Sequence, residues 1–293
     1  MKARRIPALI LAAMSAIALP GCEKSETAGP PGHSHLSAVV QDGEGPGSAA
    51  PSGSPDGDGQ QADRTGDSAR ADLGLMSSLP LYWSPGADFG QLAQGTAAVP
   101  WQRVALERDY DLVLLDTISP IAALDPEAPD TDPLANLDRL AIVQPRGLSP
   151  SDNVALDRWV RDGGRLLLVL DPMLTGHYEL PLGDPRRPTD TALIPPVVKR
   201  WGMKVLYDDR QEPERMARSG DITIPVSLGG EIRIDNADAP SGDCRIGDQG
   251  VIARCDIGDG RVTLIADAFA FEEPHGGETP SPIAGLLRLA FND

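Results

Sequence analysis

The chain has 293 residues, of which 43 are acidic and 26 basic, giving a formal net charge of −17. Nucleic acids and anionic lipid surfaces are bound by clustered lysine and arginine side chains. The excess of acidic residues therefore disfavours binding to nucleic acid, and it disfavours a basic face that lies on anionic lipid. Only three cysteines are present. We therefore predict no nucleic-acid partner and look to the cysteines for the cellular compartment.

Residues 1–22 have the three-part pattern of a secretory signal: basic residues, an apolar run and small residues before a cysteine. The apolar run is shorter than the roughly 20 residues of a spanning helix. Its ending, Leu-Pro-Gly-Cys22, resembles a bacterial lipobox, although Pro20 is unusual there. The resemblance implies a diacylglycerol on Cys22; the alternative is an ordinary cleaved signal with a chance cysteine.

A lipobox at Cys22 implies a protein held on the lipid bilayer of the bacterial cell envelope and facing the periplasm. Its acyl chains would bury enough methylene groups for stable anchoring. Glu23 follows the cysteine where an aspartate would favour inner-membrane retention, so the resemblance leans towards the outer membrane.

Residues 23–75 are rich in glycine, proline, serine and aspartate and contain no aromatic residue. Such a segment buries too little apolar surface to offset the entropy of ordering it, which predicts a disordered tether. It includes His33 and His35, but two histidines in a solvated linker do not predict a metal site.

Residues 76–293 have the alternating apolar runs and helical patterns of an α/β domain with a largely parallel sheet. The clearest unit is a helix after Ser149 and Pro150, ended by the Gly163–Gly164 pair and followed by the apolar strand RLLLVL. Further strands are predicted at Leu79–Trp83, Tyr110–Asp116, Leu140–Pro145, Lys204–Tyr207, and within DITIPV and EIRID.

The remaining predicted elements are helices and one hairpin. The sequence VIARCDIGDGRVTLIAD predicts two strands joined by a Gly-Asp-Gly turn. Helices are predicted at Pro100–Arg108, across TDTALIPPVVKRWG with a break at its two prolines, and at Ser281–Phe291.

The order of GGRLLLVLDP, a helix ending in WGMKV, and GDGRVTLIADAFAF is similar to an uncharacterised ABC-type transport auxiliary domain. That domain is found with gliding-motility transporter auxiliary proteins and related DUF4350-like lipoproteins of Alphaproteobacteria. The resemblance implies a flavodoxin-like sandwich of the class I glutamine amidotransferase type. It also implies an accessory role beside transporter subunits or other envelope proteins.

The sequence lacks the motifs that would indicate an enzyme of this fold. A class I amidotransferase needs a cysteine on a tight strand-to-helix turn, and no Gly-x-Cys-x-Gly occurs. No phosphate-binding loop, Gly-x-Ser-x-Gly or HExxH occurs either. We therefore expect a non-catalytic protein without cofactor or metal.

Three aspartates, Asp116, Asp171 and Asp267, each follow a predicted strand, at the edge where open α/β sheets bind ligands. His177, Arg186 and Arg187 follow Asp171 on one loop. These residues predict either a polar pocket for a sugar or cation, in a periplasmic binding module or hydrolase, or ordinary turn and helix caps.

Cys244 and Cys255 flank the segment RIGDQGVIAR. Thiols on adjacent segments tend to be bridged in an oxidising compartment. We predict a disulfide between them, the alternative being two free buried cysteines.

Overall fold

The computed structural model describes residues 70–84, 86–87, 89–235, 243–272 and 281–292. The signal segment, Cys22, the two linker histidines and the tether up to residue 69 lie outside these ranges. Within the described ranges, no helix has the length and apolar character needed to cross a membrane.

A mixed α/β domain is built on a central sheet with the order β2-β1-β3-β4-β11-β10-β9. Strands β2, β1, β3, β4 and β11 run parallel, and β10 and β9 add to β11 in antiparallel fashion. The eleven described strands are β1 Ala71–Ser77, β2 Tyr110–Leu114, β3 Arg139–Val143, β4 Arg165–Val169, β5 Met203–Leu206, β6 Glu214–Ser219, β7 Ile222–Ser227, β8 Glu231–Ile234, β9 Cys244–Ile246, β10 Ile252–Ile257 and β11 Gly260–Ile265.

Layers cover both faces of the central sheet. One face packs against helices α2, α5 and α6 and the β6–β7 hairpin, and the other against α3, α4 and the β5–β8 pair. The helices among the described residues are α1 Phe89–Gln94, α2 Trp101–Glu107, α3 Pro150–Arg161, α4 Pro196–Arg200, α5 Phe269–Glu272 and α6 Pro282–Phe291. Both faces of β4 are therefore buried, which explains its unbroken run of leucines.

The start of the domain corrects the sequence prediction. Strand β1 is Ala71–Ser77, so the first strand lies in residues we assigned partly to the tether, and Leu79–Trp83 forms bends after it. The run ADLGLMS is short, contains a glycine and follows a polar linker. For these reasons its sequence does not predict a strand. A Cβ at residue 74 would come within 2.8 Å of Leu137 Cδ1, so a larger residue there would require that leucine to shift.

The prolines at the start of α4 give a second correction. The helix predicted across TDTALIPPVVKRWG exists only after the break, as Pro196–Arg200, with Pro195 at its N-cap. Proline fits the first helical turn but not a helix interior, so the residues before it form a loop.

The strand–helix–strand unit and the hairpin are confirmed. Ser149 caps α3 and accepts a hydrogen bond from the Asp152 amide, while the Asp152 side chain accepts one from the Ser149 amide. Strands β10 and β11 pair antiparallel up to Ile257 and Gly260. Gly260 cannot be replaced without rearrangement, because a Cβ would lie 2.0 Å from the Val160 carbonyl oxygen.

Candidate functional site

Asp171 and Asp267 lie side by side at the carboxyl edge of the sheet. Strands β4 and β11 are parallel neighbours with Val169 opposite Ile265, and each aspartate follows two residues beyond that pair. Both side chains are buried, with 0% and 1% of their surface exposed. The structure thus brings together two of the three strand-end aspartates.

Backbone amides surround the two carboxylates. Asp171 accepts hydrogen bonds from Met173 N at 2.8 Å and Ala268 N at 2.9 Å. Asp267 accepts from Ser227 N and Phe269 N, both at 2.9 Å. Together they fasten the β4–α4 loop, the end of β7 and the first residue of α5 to one point.

Burial makes ionisation of this pair unfavourable. Desolvation raises the pKa of Asp171 to about 7, against the opposing effect of hydrogen bonds from Ala268 and Met173. Desolvation and then the charge of Asp171 raise the pKa of Asp267 well above its ordinary value. Neither carboxylate forms an ion pair with a lysine or arginine in the described part of the chain, so no positive charge there offsets the effect of burial.

Glu272 adds a third carboxylate that sequence reasoning missed. Its charge raises the pKa of both aspartates. Its Oε1 accepts hydrogen bonds from Gly176 N at 2.7 Å and from the Tyr178 hydroxyl at 2.9 Å. A Cβ on residue 176 would lie 2.2 Å from that oxygen, so the glycine permits the close approach. No motif marks Glu272 in the sequence.

Gln144 fills the space between β3 and β4 at the same edge. Its Nε2 donates to the Asp171 carbonyl at 3.1 Å and to the Thr189 carbonyl at 2.9 Å, and its Oε1 accepts from Asp171 N at 2.8 Å. The Ser78 hydroxyl donates to the Gln144 carbonyl. Gln144 is fully buried, and its backbone φ of 45° is in the left-handed region. A residue other than glycine keeps this backbone conformation only when the surrounding contacts hold it there.

The strand order reverses between β1 and β3, where the Ser78 hydroxyl donates to the Gln144 carbonyl; Asp171 and Asp267 lie further along the same edge, after β4 and β11. In open parallel sheets this crevice at the carboxyl edge is the usual ligand site. Here the β4–α4 loop crosses it, with Thr189 N donating to the Ser78 hydroxyl at 3.4 Å. The loop is braced internally by Leu174 N to Asp190 O at 2.9 Å and Ala192 N to Asp171 O at 2.8 Å. The protein's own side chains and loop therefore occupy the crevice.

The other predicted ligand residues lie elsewhere. Asp116 is exposed after β2, three strands from Asp171 in the sheet order and so about 14 Å away at ordinary strand spacing. The predicted convergence of three aspartates is therefore wrong for Asp116. His177 is exposed on the loop beside Tyr178.

The two loop arginines bond within their own loop. Arg187 donates to the Tyr178 and Leu180 carbonyls, both at 2.8 Å, and pairs with Asp190. Arg186 pairs with Asp184 at 2.8 Å. Arg187 thus joins several parts of the loop, whereas Arg186 makes only an exposed local pair. The residues that the structure describes contain no cluster of three or more His, Cys, Asp or Glu side chains placed to hold a metal ion.

Asp152 also has a shifted pKa, but its hydrogen bonds give it a structural role. Its Oδ1 accepts from the Thr117 hydroxyl and from Ile118 N and Ser119 N, and its Oδ2 from Ser149 N. These hydrogen bonds outweigh desolvation and lower its pKa to about 2. Asp152 therefore links the loop after β2 to the start of α3.

The structure contains the disulfide between Cys244 and Cys255. The two residues lie directly opposite each other on β9 and β10. Cys255 is fully buried, with its sulfur 3.5 Å from that of Met203. The bridge therefore ties the outermost strand of one sheet edge to the core.

No protein-family model and no curated protein matches the chain. Among solved structures, a ThuA-like protein from Bacteroides uniformis has 10% identity and a TM-score of 0.40, over 78% of this chain and 94% of that one. The exo-β-1,4-mannosidase Op5Man5 from an Opitutaceae bacterium has 11% identity and a TM-score of 0.38, and the β-galactosidase from Rahnella sp. R3 has 10% and 0.40. The match to the mannosidase includes 68% of this chain, and the match to the β-galactosidase includes 75%. In both cases the chain spans only 31% of the glycosidase's length. These similarities are too distant to bear on its chemistry.

Proposed function

We propose that the protein is a non-catalytic accessory lipoprotein, anchored through Cys22 and serving as an auxiliary module of an ABC-type envelope transport system. The observation that carries the proposal is the closed carboxyl edge, where Gln144 and the β4–α4 loop occupy the crevice used for ligands in related topologies. A module whose ligand edge is filled by its own chain is suited to binding another protein.

Three further observations support the proposal. The sequence before Cys22 resembles a lipobox, and the following linker is long enough to hold a domain on the order of 40 Å from a membrane. The disulfide fits an oxidising compartment. The order β2-β1-β3-β4-β11 is that of flavodoxin-like sheets, in line with a class I glutamine amidotransferase-like sandwich that lacks the catalytic cysteine.

The test uses the full-length protein and its Cys22→Ser variant. We expect a palmitate analogue to label the wild type alone, and the variant to leave the membrane fraction. We also expect cross-linking in intact cells, followed by detergent solubilisation, to recover an ATPase or permease subunit with the wild type. A wild type that is unlabelled and soluble, or that reproducibly cross-links to no transporter subunit, would refute the proposal.

One observation favours a second candidate, a small-molecule binding module or hydrolase that uses the strand-end carboxylates. A pKa of about 7 for Asp171 is suited to general acid–base chemistry. The hydrogen bonds favour the first proposal, because all four carboxylate oxygens of Asp171 and Asp267 are held by backbone amides. If Asp171→Asn folded normally but abolished the cellular phenotype, the second candidate would replace the first.

A further inference from the structure

The two ends of the central sheet differ in how they are protected. The edge strand β9 has three residues and is bridged to β10 by the disulfide. The opposite edge strand, β2, has five residues and pairs only with β1 in the described part of the chain. An unprotected edge strand is a template for another extended chain.

The register of β2 identifies the backbone groups that face outward. Leu115 N donates to Leu75 O at 2.9 Å, so alternate residues of β2 point their amide and carbonyl groups towards β1. Leu112 and Leu114 therefore point theirs away from the sheet. These two residues can pair with the backbone of an added strand.

A small cavity of about 180 Å³ opens at the carboxyl end of the same edge, lined by Tyr82, Trp83, Leu114 and Asp116 among others. Trp83 is 51% exposed and Leu114 43% exposed. The Arg103 guanidinium lies 3.9 Å from the Tyr82 ring centroid, and its Nε pairs with Glu107 at 2.7 Å. The aromatic wall is thus held in place, and the charge of that arginine is balanced.

The charges along β2 indicate what kind of chain fits. Asp109 precedes the strand, Asp111 lies within it and Asp116 follows it. Asp111 pairs with Arg70, Asp109 acts through its charge on Tyr110, and Asp116 lines the cavity. Pairing β2 with β2 of a second copy would bring these carboxylates together, which disfavours self-association.

We propose that the β2 edge and its adjoining cavity form a docking site for an extended, basic segment of another protein. The segment adds as a strand beside Leu112 and Leu114, and one of its lysine or arginine side chains enters the cavity. There the apolar stem packs on Trp83 and the cationic head reaches Asp116. This inference rests on the proposed function in that it names the surface through which an accessory module would hold its partner.

The test measures binding of a fluorescein-labelled octapeptide of alternating valine and lysine to the full-length protein in detergent micelles. A peptide of alternating valine and glutamate is the charge control. The variants are Leu114→Lys, Asp116→Lys and, as a matched control on the other edge strand, Ile246→Lys, whose side chain is also 43% exposed. Hydrogen exchange of the Leu112 and Leu114 amides reports the place of binding.

We expect saturable binding of the basic peptide only, slower exchange of both amides, and about a tenfold or greater loss of affinity in Leu114→Lys and Asp116→Lys but not in Ile246→Lys. Absent binding, equal binding of the acidic peptide, unchanged affinity in Leu114→Lys, or a dimer in sedimentation that this variant abolishes would overturn the inference. Peptide binding without a transporter subunit in the cross-linking experiment would refute the proposed function alone.

Discussion

At the scale of single residues, the distinctive feature is a pair of buried aspartates that form no ion pair with any lysine or arginine among the described residues. Asp171 and Asp267 each satisfy backbone amides, so they contribute to the fold as hydrogen-bond acceptors. Burial opposes their charge, because the carboxylates lose their solvation. The cost of this arrangement therefore depends on pH.

We expect stability to fall as pH rises from about 4 to about 7. The folded-state pKa of Asp171 is raised from 3.8 to about 7, so the folded protein binds more protons than the unfolded chain within that window. The full shift corresponds to at most about 4 kcal/mol. Urea unfolding of the wild type at pH 4.5 and pH 7.5 measures the change.

The control for this prediction is Asp267→Asn, which removes a second buried carboxyl whose own pKa is raised by burial and by the charge of Asp171. We expect a smaller change in the free energy of unfolding between the two pH values, although the amide loses one acceptor and lowers stability overall. An equal pH dependence in both proteins would contradict the coupling. Asp152 does not interfere with this measurement. Its pKa is lowered to about 2, so its ionised form stabilises the fold above about pH 4, and that contribution is lost only at lower pH.

Residues at the ends of clear strands can be predicted from the sequence, whereas residues that act through long-range contacts cannot. Asp171 and Asp267 were placed correctly at strand ends because the apolar runs before them are unambiguous. Their distance from Asp116 depends on strand order, which local patterns do not encode. Gln144 and Glu272 were missed because their roles come from contacts with segments 27 and 96 residues away.

At the scale of elements, the β4–α4 loop is held against the sheet by few but well-buried contacts. Gln144 supplies three hydrogen bonds to the loop and to Asp171. Glu272 and the aspartate pair supply further contacts. The Ser78 hydroxyl accepts from Thr189 N, and Arg146 donates to the Arg187 carbonyl. The closure of the carboxyl edge therefore depends on a small number of side chains.

We expect Gln144→Ala to destabilise the protein by about 2–3 kcal/mol, since it leaves buried backbone groups without partners. We also expect faster limited proteolysis within residues 173–190, because the loop loses its attachment. The matched control is Gln102→Ala, which removes a buried glutamine whose amide bonds to the Phe271 carbonyl instead. Cleavage of the loop at the same rate in both variants would show that Gln144 does not hold it.

The disulfide allows a second test at this scale. In the loop-entropy account, a bridge between residues separated by 11 positions stabilises by about 3 kcal/mol. We expect Cys244→Ser with Cys255→Ala to lower the free energy of unfolding by about that amount. The wild type in reducing agent should behave alike, and a reductant-insensitive wild type would contradict the prediction.

Element prediction succeeded where turn chemistry and apolar runs agree. The Ser149 cap, the glycine pair after α3 and the β10–β11 hairpin follow from residues near one another in sequence. Strands β6 and β9 were missed. Strand β6 has a charged, half-exposed sequence, and β9 is only three residues long, so neither has the alternation that marks a strand.

At the scale of the whole molecule, the sequence was sufficient for the layered α/β class with a mostly parallel sheet. Alternation of apolar strands and helices requires such a class. It was insufficient for the start of the domain, where β1 follows a polar linker and pairs with strands far along the chain. The order of the strands is set by those distant pairings.

The two edge strands of the central sheet differ in length, and this difference affects how further strands can add to the sheet. For a further strand, β9 offers only three residues, whereas β2 offers five. We therefore expect head-to-tail stacking of copies through their sheets to be disfavoured relative to a single addition at β2. A one-to-one complex, rather than a fibre, is the natural end point for this architecture.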